Sequence, residues 1–260
     1  YLSLESSAFI YPRYLPKQNN DLTSLSEKFM ANQNQNINSS YEDFYATRAS
    51  LNVYPTEFVV RTFLANYPGL TFTKPQQGNR VLDVAFGDGR NTTFLCDQGF
   101  EVAGIEITQG IVDQTSERLK KLGQSADLRV GRNSNMPFED DYFDYVLACH
   151  CCYYCDEGEV FSDNLLEYAR VMKKGAWLVA SVASRNSYIF NNAVAQEDGS
   201  LRVNADPYGN RNGYRLHAFS EKSEIESYFA PFFCNFSFGF ADNDYFSVQE
   251  RVFWIVCQKN

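Results

Sequence analysis

From about residue 79 onward the chain alternates between short apolar runs and segments with helical spacing. That alternation constrains its fold more than any other feature. "RVLDVAF" leads through glycines into the helix-like "RNTTFLCDQG", and "FEVAGIEI" leads into "QGIVDQTSERLKKLG". The latter sets Ile111, Thr115, Leu119 and Leu122 on one helical face and stops at Gly123. "ADLRV" and "FDYVLAC" read as the third and fourth strands. "VFSDNLLEYARVMKKG" puts Phe161, Leu165, Tyr168, Ala169 and Met172 on one stripe, with Lys173 and Lys174 at the negative end of that helix and Gly175 ending it. "AWLVASVA" is a fifth strand, "SEIESYFAPFF" a last helix, and "NFSFGF" and "RVFWIVCQ" closing strands. Strand alternating with helix means an α/β fold, a mostly parallel sheet with helices on both faces. Ligands in such sheets bind beyond the carboxyl ends of the strands, so the residues to inspect follow Phe86, Ile107, Val130, Cys149 and Ala183.

The 260 residues, 44% hydrophobic and 16% aromatic, suffice for one large domain with a buried core. A net charge of −9 disfavours a nucleic-acid partner, because phosphate contacts need a basic face. No run of eighteen apolar residues exists to span a membrane, and no charged-then-apolar leader stands at the start. Seven unevenly spread cysteines are unlike a secreted disulfide framework, so a reducing cytoplasm is expected. Residues 1–40, aromatic and then amide-rich, read as a tail or as a lid that orders over a ligand. Two helical segments are expected between Tyr41 and Tyr67, split at "NVYP". The expected division is an N-terminal extension and helical cap over 1–78 and a ligand-binding domain over 79–260, with an insertion at about 185–220.

After the first strand comes "DVAFGDGRNT", Asp83 to Thr92. Glycines let backbone approach a ligand, and the following helix offers free amides. Glu106, at the end of the second strand, can accept both hydroxyls of a ribose. A dinucleotide site wants a third glycine, and Thr92 stands near its place; Asp83 would also repel a pyrophosphate. A ligand with a cationic amino-acid part would welcome Asp83, which is the profile of S-adenosylmethionine.

These segments resemble the class I S-adenosylmethionine-dependent methyltransferases. "VLDVAFGDGRNT" is similar to their first motif, "GFEVAGIEIT" to the strand ending in the ribose acid, "MPFEDDYFDYVLA" to the fourth-strand motif, and "YARVMKKGAWLVAS" to the turn into the fifth strand. The resemblance covers residues 79–185. It implies a Rossmann-like seven-stranded sheet whose last strand is antiparallel. It also implies that Asp83, Gly87 and Gly89 hold the methionine part and Glu106 the ribose, with Ala85, Ile107, Ser134 and Cys149 as further candidate cofactor residues. Ala85 replaces the usual first glycine, and Arg132 replaces a frequent adenine-binding Asp, so Asn133 is the expected adenine acceptor. In relatives with a similar leader an aromatic and an arginine cover the methionine end; Tyr45 and Arg48 are the candidates. A nicotinamide oxidoreductase and a non-catalytic nucleotide-binding domain remain as alternatives, since fold alone does not fix function.

"ACHCCYYC", Ala148 to Cys155, then lies at the carboxyl end of the fourth strand, facing the donor's methyl group. Zinc wants paired CxxC knuckles, and only Cys152 and Cys155 have that spacing, so no metal is expected. His150 can take a proton from an acceptor or simply form the pocket wall. Tyr153 is the second catalytic candidate, and Tyr154 can lie against the acceptor. In the insertion, Arg185, Arg202, Arg211 and Arg215 cluster with Tyr188, Tyr208, Tyr214 and His217. Arginine suits carboxylate or phosphate, so the expected partner is a small anionic acceptor, by analogy a surface-glycan precursor in polysaccharide biosynthesis. Arg185, Tyr188, Tyr208, Arg211, Tyr214, His217 and Tyr154 are the candidate acceptor residues. The plainer reading is a hairpin whose arginines pair with Glu197, Asp198 and Asp206.

Overall fold

The computed structural model of the protein describes residues 39–47 and 52–260. Residues 39–46 are helical (α1) and α2 spans Glu57–Leu64, the two helices split near Pro55. Then follow β1 (Arg80–Val84), α3 (Arg90–Asp97), β2 (Glu101–Glu106), α4 (Gln109–Lys121), β3 (Asp127–Val130), β4 (Phe143–Ala148) and the short β5 (Tyr154–Cys155). After α5 (Phe161–Val171) and β6 (Met172–Ala183) come three short strands, β7 (Val194–Ala195), β8 (Leu201–Arg202) and β9 (Arg215–Leu216). The chain ends with α6 (Lys222–Phe229), β10 (Phe233–Tyr245) and β11 (Val248–Lys259).

The main sheet has seven strands in the order β10-β11-β6-β4-β1-β2-β3. β11 runs antiparallel to both β6 and β10, and the other pairings are parallel. The expected last antiparallel strand is therefore present. β1 is buried on both faces: Leu82 and Val84 enter one core with Phe143, Leu165 and Tyr168, while Val81 enters the other with Val59, Phe63 and Leu95. Each such large apolar side chain contributes roughly 1.5–3 kcal/mol by leaving water. The strand order reverses between β1 and β4, which opens a crevice at their carboxyl ends. β5, β9, β8 and β7 form a second small sheet that carries the insertion.

Two local expectations change. The fifth-helix stripe ends at Val171, and Met172 already pairs with Phe143 as strand. Lys173 therefore does not cap a helix but donates to Asp144 at 2.6 Å, and Lys259 caps the Met172 carbonyl. Leu122 is the C-cap residue of α4 rather than part of its inward face and is 54% exposed, because the helix ends one residue earlier.

Candidate functional site

The loop after β1 is shaped by left-handed backbone. Ala85, Gly87 and Gly89 have φ of 54°, 56° and 77°. Ala85 thus takes up the conformation that a glycine would adopt freely, at a cost for its Cβ. A Cβ on Gly87 would lie 2.4 Å from the Tyr45 hydroxyl, and one on Gly89 2.7 Å from Thr115 Cγ2. This turn brings the Gly87 amide to Glu106 Oε1 (3.0 Å), while the Ile107 amide donates to Oε2 (2.8 Å). Glu106 is buried, and burial pushes its carboxyl up to about 7 against the pull of the two amides and Arg132. Asp83 is also buried and pushed up to about 7 by desolvation, and it accepts the Thr92 hydroxyl at 2.7 Å.

A crevice of about 660 Å³ opens above this loop. Its walls include Ala85, Glu106, Ile107, Asn133, Cys149, His150, Tyr153, Tyr154, Tyr188, Tyr208, Arg211 and Tyr214 from the expected set. Tyr45 also lines it, held through its carbonyl by Gln114 at 2.6 Å. Arg48 lies outside the described residues.

Several expected residues are used elsewhere. Asp83 lies beneath the loop and ties β1 to the first turn of α3 through Thr92, and Gly87 and Gly89 shape the turn without lining the crevice. Ser134 gives its hydroxyl to Glu159. The Asn133 amide is engaged at both polar atoms: Nδ2 donates to the carbonyls of Cys151 (2.9 Å) and Tyr154 (3.2 Å), and Oδ1 accepts from Tyr168 (2.8 Å). It holds the "ACHCCYYC" turn, and Oδ1 keeps one lone pair beside the bond from Tyr168. Arg132 instead donates to Asp156 Oδ1 at 3.0 Å, and both line the crevice.

The insertion's arginines do not form one cluster. Arg185 is exposed and outside the crevice; Arg202 pairs with Glu157 at 2.8 Å, and Arg215 with Asp198. Only Arg211 of the four reaches the crevice. His217 sits in an aromatic core instead, stacked on Phe161 (ring centroids 5.1 Å, interplanar 16°) and flanked by Phe219 and Tyr228. The pairing reading was correct for Arg215 with Asp198, and Arg211 lies 3.6 Å from Asp206.

The cysteines behave as small buried hydrophobes with weak thiol donors. Cys151 Sγ lies 3.2 Å from the Val84 carbonyl and Cys152 Sγ 3.3 Å from that of Ser181, on separate strands. Burial pushes the Cys149 and Cys155 thiols up to about 12. Among the described residues no group of three or more His, Cys, Asp or Glu is arranged to hold a metal ion. His150 has φ 58°, its amide donates to Ser181, and its ring meets Trp254 edge-on at 5.1 Å. Burial first, then Arg211 and Arg90, lower its pKa to about 4, so the imidazole is neutral.

Crevice residues that escaped the sequence reading include Tyr41, Arg90, Asp156 and Glu250. Tyr41 stands one helical turn before Tyr45, and that i,i+4 spacing was a usable signal. Its ring stacks on Tyr45 (6.0 Å), and its hydroxyl meets that of Tyr154 at 3.1 Å. Glu250 arrives from β11, and nothing local in the sequence marks it.

The residues fit S-adenosylmethionine. Each oxygen of Glu106 uses one lone pair on a backbone amide and retains capacity for a hydroxyl, and the buried Tyr214 hydroxyl has no partner among the described residues. The methyltransferase domain family matches residues 82–180. Demethylmenaquinone methyltransferase of Tropheryma whipplei (strain Twist) is 33% identical over 102 residues, 39% of this chain and 41% of that protein. Ubiquinone biosynthesis O-methyltransferase of Maricaulis maris (strain MCS10) is 22% identical over 65% of this chain and 63% of that one. The chain thus spans less than two thirds of these curated relatives. A crystal structure of a SAM-dependent methyltransferase from Methanosarcina mazei shares the fold at TM-score 0.56 and 20% identity, covering 80% of this chain and 99% of that one. Residues 82–180 thus match a methyltransferase domain, and the strand order and the loop that meets Glu106 agree with that likeness.

Proposed function

We propose that this protein transfers a methyl group from S-adenosylmethionine to an oxygen or nitrogen of a small molecule bearing a carboxylate or phosphate. The observation that carries the donor half is Glu106, a buried carboxylate fixed by the Gly87 and Ile107 amides with lone pairs left for two hydroxyls. Bound there, S-adenosylmethionine supplies an electrophilic methyl carbon on a cationic sulfur. Thr92, at the position where a dinucleotide site wants glycine, is fully buried and bonded to Asp83, which argues against the nicotinamide alternative. Asp156, held by Arg132, joins Asn133 as an inferred acceptor for the adenine amino group.

The chain's own work is alignment, exclusion of water and removal of one proton. Alignment alone is worth about 7–11 kcal/mol in well-oriented reactions. The tyrosine-rich walls around Tyr153, Tyr154 and Tyr188 exclude water from the acceptor end. His150 is neutral and is the inferred proton acceptor; Tyr153, its hydroxyl held well above the ordinary range by burial, contributes a neutral hydrogen bond. Arg211 supports an anionic acceptor. Tyr45 is the inferred cover of the methionine end, a role proposed for Arg48 as well. Seven free thiols support a reducing compartment, and no helix among the described residues is long and apolar enough to cross a membrane. The division into a cap over 1–78 and a methyltransferase domain over 79–260 is part of the same reading.

The test is transfer of labelled methyl to a panel of carboxylated and phosphorylated metabolites, surface-glycan precursors included. Incorporation that falls at least tenfold in Arg211→Lys supports the reading. Incorporation only into uncharged acceptors contradicts the anionic half.

A further inference from the structure

Arg211 is half-buried in the crevice, and neutral groups fix its orientation. Nε donates to the Tyr154 hydroxyl at 3.0 Å and Nη1 to the Tyr188 hydroxyl at 3.1 Å. The carboxylate near it, Asp206 at 3.6 Å, already accepts the Tyr208 and Arg211 backbone amides and serves the turn. Glu250, from β11, lines the same crevice. Among the described residues its carboxylate has no hydrogen bond and no ion pair. Burial raises its pKa and the charge of Arg211 lowers it, so the two side chains sense one another without touching. Glu250 is thus partly desolvated with no partner, beside an Arg211 whose ion pair is the long one to Asp206, and a site that keeps a carboxylate in that state is preorganised for a ligand that spans the two.

We propose that the acceptor end of the crevice recognises a zwitterion, with the anionic group meeting Arg211 and the amino group meeting Glu250. This rests on the methyltransferase reading and narrows its acceptor to the amino-acid class. A simple anion placed on Arg211 would leave Glu250 facing a like charge, and a simple amine placed on Glu250 would leave Arg211 with the long pair to Asp206 alone. A molecule carrying both groups satisfies both ends, and discrimination follows from the repulsion as much as from the attraction. Tyr188 and Tyr208, packed edge to face with centroids 6.2 Å apart, wall this end.

The experiment is calorimetry on the full chain saturated with S-adenosylhomocysteine. The probes are the common L-amino acids and β-alanine, each with its N-acetyl derivative (anion only) and its carboxamide (cation only). The expected result is at least one zwitterion that binds tenfold or more tightly than both of its derivatives. In Glu250→Gln its advantage over the N-acetyl form should drop below threefold, while S-adenosylhomocysteine affinity stays at the wild-type value. Arg211→Lys should weaken the zwitterion and the N-acetyl form alike. Equal binding of zwitterion and N-acetyl form by the wild type overturns the inference, as does a normal S-adenosylhomocysteine titration with no zwitterion bound. If S-adenosylhomocysteine itself does not bind, the methyltransferase reading fails first and this inference with it.

Discussion

Glu106 holds its carboxyl near 7 only because the fold takes it out of water. Protonation is thus easier in the folded protein than in the unfolded chain, and the same holds for Asp83. Such groups contribute stability that is fully present below the ordinary carboxylate range and is lost as pH rises through about 7. In ligand-free protein, the melting temperature of Glu106→Gln minus that of wild type should increase from pH 5 to pH 8; a flat difference contradicts the assignment. Donor affinity should move the other way, weakening as pH falls below 7, because a protonated Glu106 is a poorer acceptor. With a pKa near 4, His150 should add no step to the methyl-transfer rate between pH 6 and 8. At Ala85 the φ of 54° costs an L-residue roughly 1–2 kcal/mol, offset in part by the greater unfolded-chain entropy of glycine. Ala85→Gly should therefore leave thermal stability unchanged or raise it, whereas a clear loss in a melting experiment would argue against that backbone.

At the scale of elements, the turn from Ala148 to Cys155 is pinned by two asparagines. Asn133 holds the carbonyls of Cys151 and Tyr154, and Asn164 of α5 holds those of Cys152 (2.9 Å) and Tyr154 (2.8 Å). Asn133→Ala removes the acceptor of the Tyr168 hydroxyl, while the Cys151 and Tyr154 carbonyls keep the Tyr154 amide and Asn164 as donors, so it should cost about 1–3 kcal/mol by denaturant unfolding. The sulfur concentrated in this stretch is buried, and burial raises the pKa of each of its four thiols. Iodoacetamide at pH 8 should spare Cys149, Cys151, Cys152 and Cys155 in the folded protein, read by mass spectrometry. What was legible here was local: strand period, helix stripe, and the glycines before Glu106. The role of Asn133 in this turn was not legible, because its partners Cys151, Tyr154 and Tyr168 are distant in sequence and no spacing rule connects them.

Across the whole molecule, the order of the strands decides what meets in the crevice. The reversal between β1 and β4 brings Ala85 and His150 to one side, the insertion contributes Arg211, and β11 contributes Glu250 from near the chain's end. The loop that meets Glu106 was readable because Asp83 to Glu106 is one continuous stretch. The insertion was readable only as composition, four arginines and several tyrosines, since Arg202 and Arg215 are taken up in ion pairs and, of the four, Arg211 is the one that lines the crevice. The account stands on the donor half, so its most direct measurement is calorimetric titration of wild type and Glu106→Ala with S-adenosylhomocysteine. One molecule bound per chain by wild type, with affinity falling at least tenfold in the variant as two hydroxyl contacts to a charged group are lost, is the expected result. A wild-type titration without heat or thermal stabilisation, or equal binding by the variant, would contradict it.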